Sequence, residues 1–470
     1  MKILFVASEA SPFAASGGLG DVMGALPAAI ASADKDIACE VILPFYKCVK
    51  EEYRKKMQKV LDISFYLSWR KTGATVYSYI LNGVTYYFVE NHYYFDRDPM
   101  YGEGDDGERF AFFSMAVLEF IRQRGNVPDI LHANDWQAAL AVIYLKTEYK
   151  HLTDLSSIKT VFTIHNIEYQ GKFDPYILGD IFAIDNRFYP LLEWDGCINL
   201  MKGALATSDY INTVSPNYSK ELHYDYFAFG LSSMIEKVSD KFIGILNGID
   251  YDAFSPENGK DIYLAYSTAD RKTGKAYNKR ELQKELGLEV RADVPIVAMI
   301  TRLTAGKGVD LVLRVIDTVM EKDVQFVLLG TGDPMYEQAF KALGARYPAF
   351  KPLLRFDRTL SKKIYAGADI FLMPSKSEPC GLAQMIACSY GTLPIVRAVG
   401  GLKDSIIHKK NGFVFEDFNA HEMLSVLEEA LQMYHEQDAF DALADCAKKS
   451  NFSWKSSANA YIEMYKSLLK

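Results

Sequence analysis

Several features are missing from this sequence, and each absence removes a class of protein. None of the six cysteines (Cys39, Cys48, Cys197, Cys380, Cys388 and Cys446) forms a Cys-x-x-Cys pair, so zinc ribbons and thioredoxin-type redox motifs have no support. Their scatter fits reduced thiols. No apolar run approaches the ~20 residues of a membrane span. The apolar stretch 3–7 is too short for a signal peptide. The chain therefore reads as soluble and cytoplasmic, and the glycosylation sequons at Asn217 and Asn451 go unused. Positive charge is in deficit: 52 Lys and Arg against 60 Asp and Glu leave a net −8. That argues against a nucleic-acid partner, which needs a broad basic surface, but an anionic small ligand needs only a few local cations. Tryptophan is scarce at 4, whereas Tyr (30) and Phe (28) are plentiful. Tyrosine can pave a surface for sugars or bases, although composition alone fits ordinary core and rim packing. No internal repeat or low-complexity segment appears, and 49% hydrophobic with 24% charged residues is globular composition.

At about 150 residues per domain, 470 residues suggest roughly three domains, with two large ones equally compatible. The apolar pattern decides between them. Residues 3–7 look like a strand buried on both faces of a parallel sheet. They lead into Gly17-Gly18-Leu19-Gly20-Asp21 and a helical stretch, the opening of a doubly wound α/β domain. Apolar runs at 40–43, 86–90, 130–132, 161–165, 210–214 and 242–246 follow, with helical segments at 110–124 and 137–149. The pattern restarts near Pro295, with runs at 296–300, 326–329, 371–373 and 394–396. This alternation predicts an α/β protein with two doubly wound domains facing each other across a cleft. The expected boundaries are 1–250 and 293–451, an interdomain segment 251–292 with a helical piece at 278–286, and a tail 452–470. Trp454, Tyr461 and Tyr465 share one helical face of that tail, which is expected to pack back on the first domain.

The candidate chemistry lies at strand ends. The loop at Gly17 and Gly18 can bring backbone amides to a phosphate, but it is neither a Walker loop nor GxGxxG, and a plain tight turn explains it equally well. His132-Ala133-Asn134-Asp135-Trp136 and Thr163-Ile164-His165-Asn166 each end a buried strand. One such histidine reads as structural; two polar strand ends in one domain shift the balance towards function. Arg302 and Lys307, flanked by Gly306 and Gly308, can converge on a diphosphate, or form a solvated basic loop. Ser375-Lys376-Ser377-Glu378-Pro379-Cys380-Gly381-Leu382 places a carboxylate just ahead of a helix. Cys380 reads as a packing residue rather than a nucleophile, since no base partners it. Asp96-Arg97-Asp98 matches the Asp-x-Asp pattern of metal-dependent glycosyltransferases, but it lies away from a strand end and reads as a chance match.

Taken together, these motifs resemble the bacterial glycogen synthases and plant starch synthases of glycosyltransferase family five. The resemblance spans nearly the whole chain through residues 16–22, Phe95-Asp96-Arg97, His132 to Trp136, Phe162 to Ile167 and Tyr169-Gln170-Gly171. It continues through Asn247-Gly248-Ile249-Asp250, Arg302 with Lys307, Gly330-Thr331-Gly332-Asp333, Glu378 to Leu382 and Phe452-Ser453-Trp454. It implies the GT-B fold and retaining transfer of glucose from ADP-glucose, or UDP-glucose, to the non-reducing end of an α-1,4-glucan, with no metal or other cofactor. By the same resemblance the catalytic set is Glu378, Arg302, Lys307, His165 and Asp135. Donor binding falls to Gly17, Gly18, Asp21, Asn247, Gly332, Cys380, Gly381 and Leu382, and acceptor binding to Trp136, Phe95 and Asn166.

The chain departs from the family pattern at several places. Ala15 stands where the family has lysine, Ala383 where it has threonine, and Val399 where it has threonine or serine. Gln137 replaces a histidine and Gly306 a glutamine. The retained charged set favours an active glucan synthase. The departures keep open a glucosyltransferase of altered donor or acceptor, and a catalytically weakened glucan-binding paralogue.

Overall fold

Continuous apolar runs become the interior strands. The computed structural model describes residues 1–470. Internal packing divides the chain into one unit of Met1–Asn247 with Trp454–Lys470 and another of Gly248–Ser453. The first unit contains, in chain order, β1 (Lys2–Val6), β2 (Ala38–Pro44), β3 (Gln58–Leu67), β4 (Arg70–Leu81), β5 (Val84–Glu90) and β6 (Ile130–Asn134). There follow β7 (Lys159–Ile164), β8 (Lys172–Phe173), β9 (Glu193–Trp194), β10 (Cys197–Asn199), β11 (Tyr210–Thr213) and β12 (Phe242–Gly244). The main sheet runs β12-β11-β7-β6-β1-β2-β5-β4-β3. It is parallel from β12 to β5, and β4 and β3 close its edge as an antiparallel hairpin. The strand order reverses at β1, which pairs with β2 on one side and β6 on the other. A doubly wound sheet binds ligands at such a switch point.

The second unit holds β13 (Ile296–Ile300), β14 (Gln325–Leu329), β15 (Phe350–Leu353), β16 (Ile370–Met373), β17 (Leu393–Arg397) and β18 (Phe413–Phe415). They form one parallel sheet, β15-β14-β13-β16-β17-β18. This is the dinucleotide-fold order, with its switch point between β13 and β16. The α/β, doubly wound expectation holds for both units. No helix is long and apolar enough to cross a membrane.

Residues 251–292 were expected between the domains and instead pack within the second unit. Helix Arg271–Glu285 begins seven residues before the predicted piece and buries Arg271, Lys275, Asn278, Lys279 and Gln283. Its buried face is polar, so no apolar stripe announces it. Arg271 pairs with Asp441 at 2.9 Å, and Lys279 with Asp369 at 2.8 Å. Lys275 donates to Thr392 Oγ1 at 2.6 Å and to the Tyr365 carbonyl at 3.2 Å. Burial pushes its ammonium down to about 7, against a smaller opposing pull from Asp369. The folded pKa lies below the unfolded one, so between about pH 7 and pH 10 the unfolded chain binds more protons and stability rises with pH. Lys275→Met is expected to flatten that rise, read as the pH dependence of the melting temperature.

Helix Trp454–Leu468 joins the first unit's core, where Trp454, Tyr461 and Tyr465 pack with Leu26 and Ile30 of helix Gly18–Ala33. Each ring of this kind contributes roughly 1.5–3 kcal/mol of burial.

Candidate active site

In the first unit the switch point is built around Glu9, just beyond β1. This carboxylate is 4% exposed. Its Oε2 accepts the Ser16 amide at 2.6 Å and the Gly17 amide at 3.2 Å; its Oε1 accepts the Ser16 hydroxyl at 2.7 Å and Tyr101 Oη at 2.8 Å. The glycine loop therefore already holds an anion, and the Gly17 amide is not free for a second. Gly17 and Gly18 are exposed, with open space where a Cβ would stand. No Lys or Arg pairs with Glu9, and Ala15 beside it is exposed. Asp21 accepts a long bond from Ser11 Oγ at 3.4 Å.

Across the switch point, β6 ends at Asn134 and Asp135. Asp135 has φ 57 and ψ 177, an uncommon backbone for a residue with a side chain. Its Oδ1 accepts the His165 amide at 2.8 Å and the Asn166 amide at 3.4 Å. Burial pushes its carboxyl up to about 7, opposed by those two amide bonds and reinforced by the charge of Glu9. Asn134 donates its amide to the Val6 and His132 carbonyls, at 3.2 and 3.1 Å, which leaves its oxygen facing His165 Nε2 at 2.9 Å. Carbonyls only accept, so His165 carries its proton on Nε2 and keeps a lone pair on Nδ1. Burial pushes the ring down to about 3, so it is neutral. A neutral imidazole with a free Nδ1 accepts a hydrogen bond from a hydroxyl.

Trp136 is half-buried, with its ring 5.2 Å from Phe110 and 5.7 Å from Phe173. Asn166 is half-buried and its side chain accepts the Glu168 amide at 3.0 Å. Phe95 requires correction. It is 0% exposed, packed with Tyr46, Tyr94, Phe112 and Phe113, so in this structure its ring supports the site from within and meets no acceptor. Asn247 is buried, and its Oδ1 has no hydrogen-bond partner.

In the second unit both flanks of the switch point carry charge. Arg302, just after β13, is exposed and makes no ion pair. Lys307 Nζ lies 2.7 Å from Glu378 Oε2, which also accepts Ser375 Oγ at 3.0 Å. The loops are pinned where Lys376 N donates to Gly306 O at 2.9 Å and Gly401 N to Glu378 O at 3.1 Å. Two glycines make this approach possible. Gly308 (φ +70) and Gly400 (φ +45) would each place a Cβ 1.9 Å from a carbonyl oxygen, that of Pro374 and of Glu378 respectively. Cys380 is buried, and its carbonyl accepts Gln384 Nε2 at 3.2 Å, as Gly381 O does at 2.9 Å. Leu382 precedes helix Ala383–Ser389. Gly332 N is taken by Glu337 Oε1 at 2.9 Å. At Asp96-Arg97-Asp98, Arg97 forks onto Asp105 at 2.7 and 2.8 Å, and Asp98 pairs with Lys47 at 2.9 Å. No group of three or more His, Cys, Asp or Glu side chains is arranged to hold a metal ion.

The structure thus gathers Asp135, His165, Asn166, Gly17 and Gly18 at one switch point, and Arg302, Lys307, Glu378, Gly381 and Leu382 at the other. Sequence reading passed over Glu9 and Tyr101, and named Asn134 and Ser375 only as members of their motifs, with no role. Glu9 has a visible signal: it is a charge two residues beyond the apolar stretch 3–7, between that strand and the glycine loop.

Comparison with known proteins agrees with this geometry. Residues 2–237 match the starch synthase catalytic domain and residues 281–445 the glycosyl transferases group 1 family. The chain is 44% identical to the glycogen synthase of Geobacillus thermodenitrificans, over 100% of this chain and 98% of that one. It is 44% identical to that of Clostridium beijerinckii, over 100% and 99%. The catalytic domain of starch synthase IV from Arabidopsis thaliana, solved with ADP and acarbose, superposes with a TM-score of 0.92 at 34% identity, covering 99% of each chain. A sucrose-phosphate synthase from Thermosynechococcus elongatus, at 16% identity and TM-score 0.63, shares the fold alone. The motif resemblance therefore extends over the full length, and the chain belongs to the glycogen and starch synthases, glucosyltransferases of GT-B fold.

Proposed function

We propose that this glucan synthase transfers glucose from ADP-glucose to the non-reducing end of an α-1,4-glucan in the cytoplasm, with retention of configuration and without a metal. The observation that carries the reading is the second unit's switch point, where a free guanidinium, Arg302, accompanies a lysine held by Glu378, whose carboxylate also accepts the Ser375 hydroxyl. Breaking the bond between C1 and the phosphate oxygen builds negative charge on the leaving diphosphate. Fixed cations stabilise that charge more than the ground state. The C1–O bond to the acceptor hydroxyl forms on the face the phosphate leaves, the electron pair of the broken bond stays on the phosphate oxygen, and that oxygen takes the acceptor's proton. His165 accepts a sugar hydroxyl at Nδ1, and Asp135 holds the His165 backbone in place. Trp136 and Asn166 attend the acceptor, and Gly381, Leu382, Gly17, Gly18, Asp21, Asn247, Gly332 and Cys380 the donor. The ADP and acarbose held by the Arabidopsis structure support a nucleotide donor and a glucan-like acceptor here.

The test is radiolabelled glucose incorporation into glycogen from ADP-glucose and from UDP-glucose, without added divalent ion. Incorporation from ADP-glucose is expected. Glucan binding with no incorporation from either donor overturns the reading and favours a weakened glucan-binding paralogue. One observation keeps that second reading in view: Glu9 has no cationic neighbour, and position 15 offers only a methyl group. A restored lysine would place an ammonium at this exposed position. Ala15→Lys is therefore expected to raise kcat/KM for the donor about tenfold or more, the worth of one charge-assisted bond. Steady-state kinetics at varied donor concentration reads it.

A further inference from the structure

The interior of the first sheet contains a polar chain that the reaction does not use directly. Tyr465 Oη lies 2.6 Å from His132 Nδ1; His132 Nε2 lies 2.5 Å from Thr163 Oγ1; Thr163 Oγ1 donates to Asn212 Oδ1 at 2.7 Å; Asn212 Nδ2 donates to Tyr461 Oη at 2.9 Å. None of the five is more than 1% exposed. The direction of every bond is fixed. Asn212 Oδ1 only accepts, so Thr163 spends its proton there and must accept from His132 Nε2–H. Nδ1 is then the acceptor for the tyrosine hydroxyl. Each proton points one way, from Tyr465 through β6 and β7 into β11 and back to Tyr461 on the same helix. Burial pushes His132 down to about 3, which keeps the ring neutral and the chain in this sense.

This arrangement is expensive as packing. Five apolar side chains of similar volume would fill the space with no polar groups to desolvate. A directional network fixes one geometry where apolar packing tolerates several. The geometry it fixes is next to the site. Thr163 O accepts the Asp135 amide at 3.0 Å. His132 O accepts Asn134 Nδ2, whose own oxygen holds His165. Two of the chain's members therefore also hold, through backbone carbonyls, Asp135 and Asn134, the two residues that orient His165.

We propose that Tyr465 and Tyr461 of the C-terminal helix are positioning residues for the first unit's sugar-side groups, acting through His132, Thr163 and Asn212 on the ends of β6 and β7. The proposal rests on the reading that Asp135 and His165 attend the sugar.

Tyr465→Phe removes one hydroxyl and keeps the ring. It is expected to lower kcat about tenfold with the donor KM within about twofold, the pattern of misplaced rather than missing groups. It is also expected to shift the 15N resonance of His132 Nδ1 and the backbone amide resonances of Asp135 and His165. Met464→Leu, on the same helix and buried without a polar partner, controls for packing and is expected to leave kcat and those amide resonances in place. Unmoved Asp135 and His165 amides in Tyr465→Phe overturn the link whatever the activity. So does a Met464→Leu protein that loses as much kcat as Tyr465→Phe. Asp135→Asn tests the underlying reading separately: full turnover there, with the amides displaced in Tyr465→Phe, means that the link exists and the sugar-side assignment fails.

Discussion

Arg302→Ala is expected to lower kcat/KM by about 10²- to 10³-fold, the loss seen when a fixed group facing developing negative charge is removed. The side chain is exposed and makes no ion pair, so the fold loses little; surface substitutions of this kind stay within about ±0.5 kcal/mol. An unchanged melting temperature with collapsed turnover is therefore the expected pair of results. Arg302→Lys is expected to recover only part of the rate, since an ammonium supplies charge without the planar fork that fits a diphosphate. Wild-type rates in Arg302→Ala would remove the residue from the chemistry.

Glu378→Gln is expected to lower two constants, the donor KM and kcat, for different reasons. The carboxylate is buried, accepts Ser375 Oγ and takes Lys307 at 2.7 Å, while the backbone carbonyl of Glu378 accepts Gly401 N. The amide keeps the shape and removes the charge. Lys307 is then released to the diphosphate in the ground state, so donor KM falls. The balance that delivers that cation as charge develops is lost, so kcat falls on the order of 10²-fold. A rise in KM with kcat unchanged would instead mean that Glu378 only binds donor, and unchanged kinetics would sink the assignment.

What could be read in advance follows from how each element is buried. Strands β1, β6, β7, β13 and β16 are covered on both faces, so apolar residues dominate their sequences and their ends were located to within a residue or two. The hairpin β3–β4 escaped notice because its strands alternate buried with exposed residues and carry Lys59, Asp62, Arg70 and Lys71. Helix Arg271–Glu285 was half seen because its inward face is charged. Arg302, Lys307, Glu378, Asp135 and His165 stood out as charged or ring groups directly after apolar runs. Phe95 was misjudged because a motif fixes the residue and not the direction of its ring. Glu9 was passed over because its importance lies in four donors from two separate places in the chain, residues 16–17 and Tyr101, a convergence invisible in one dimension.

The split of the first unit between Met1–Asn247 and Trp454–Lys470 sets the order in which the protein becomes competent. Roughly two hundred residues of the second unit are translated in between, about 10–40 s at ribosomal speed. Throughout that interval His132 and Asn212 wait, inside a nascent sheet, for hydroxyls not yet synthesised. A glucan synthase truncated within its last two helical turns would carry every charged group of both switch points and still lack the finished first unit. The first unit is thereby completed by a helix made only after the whole of the second.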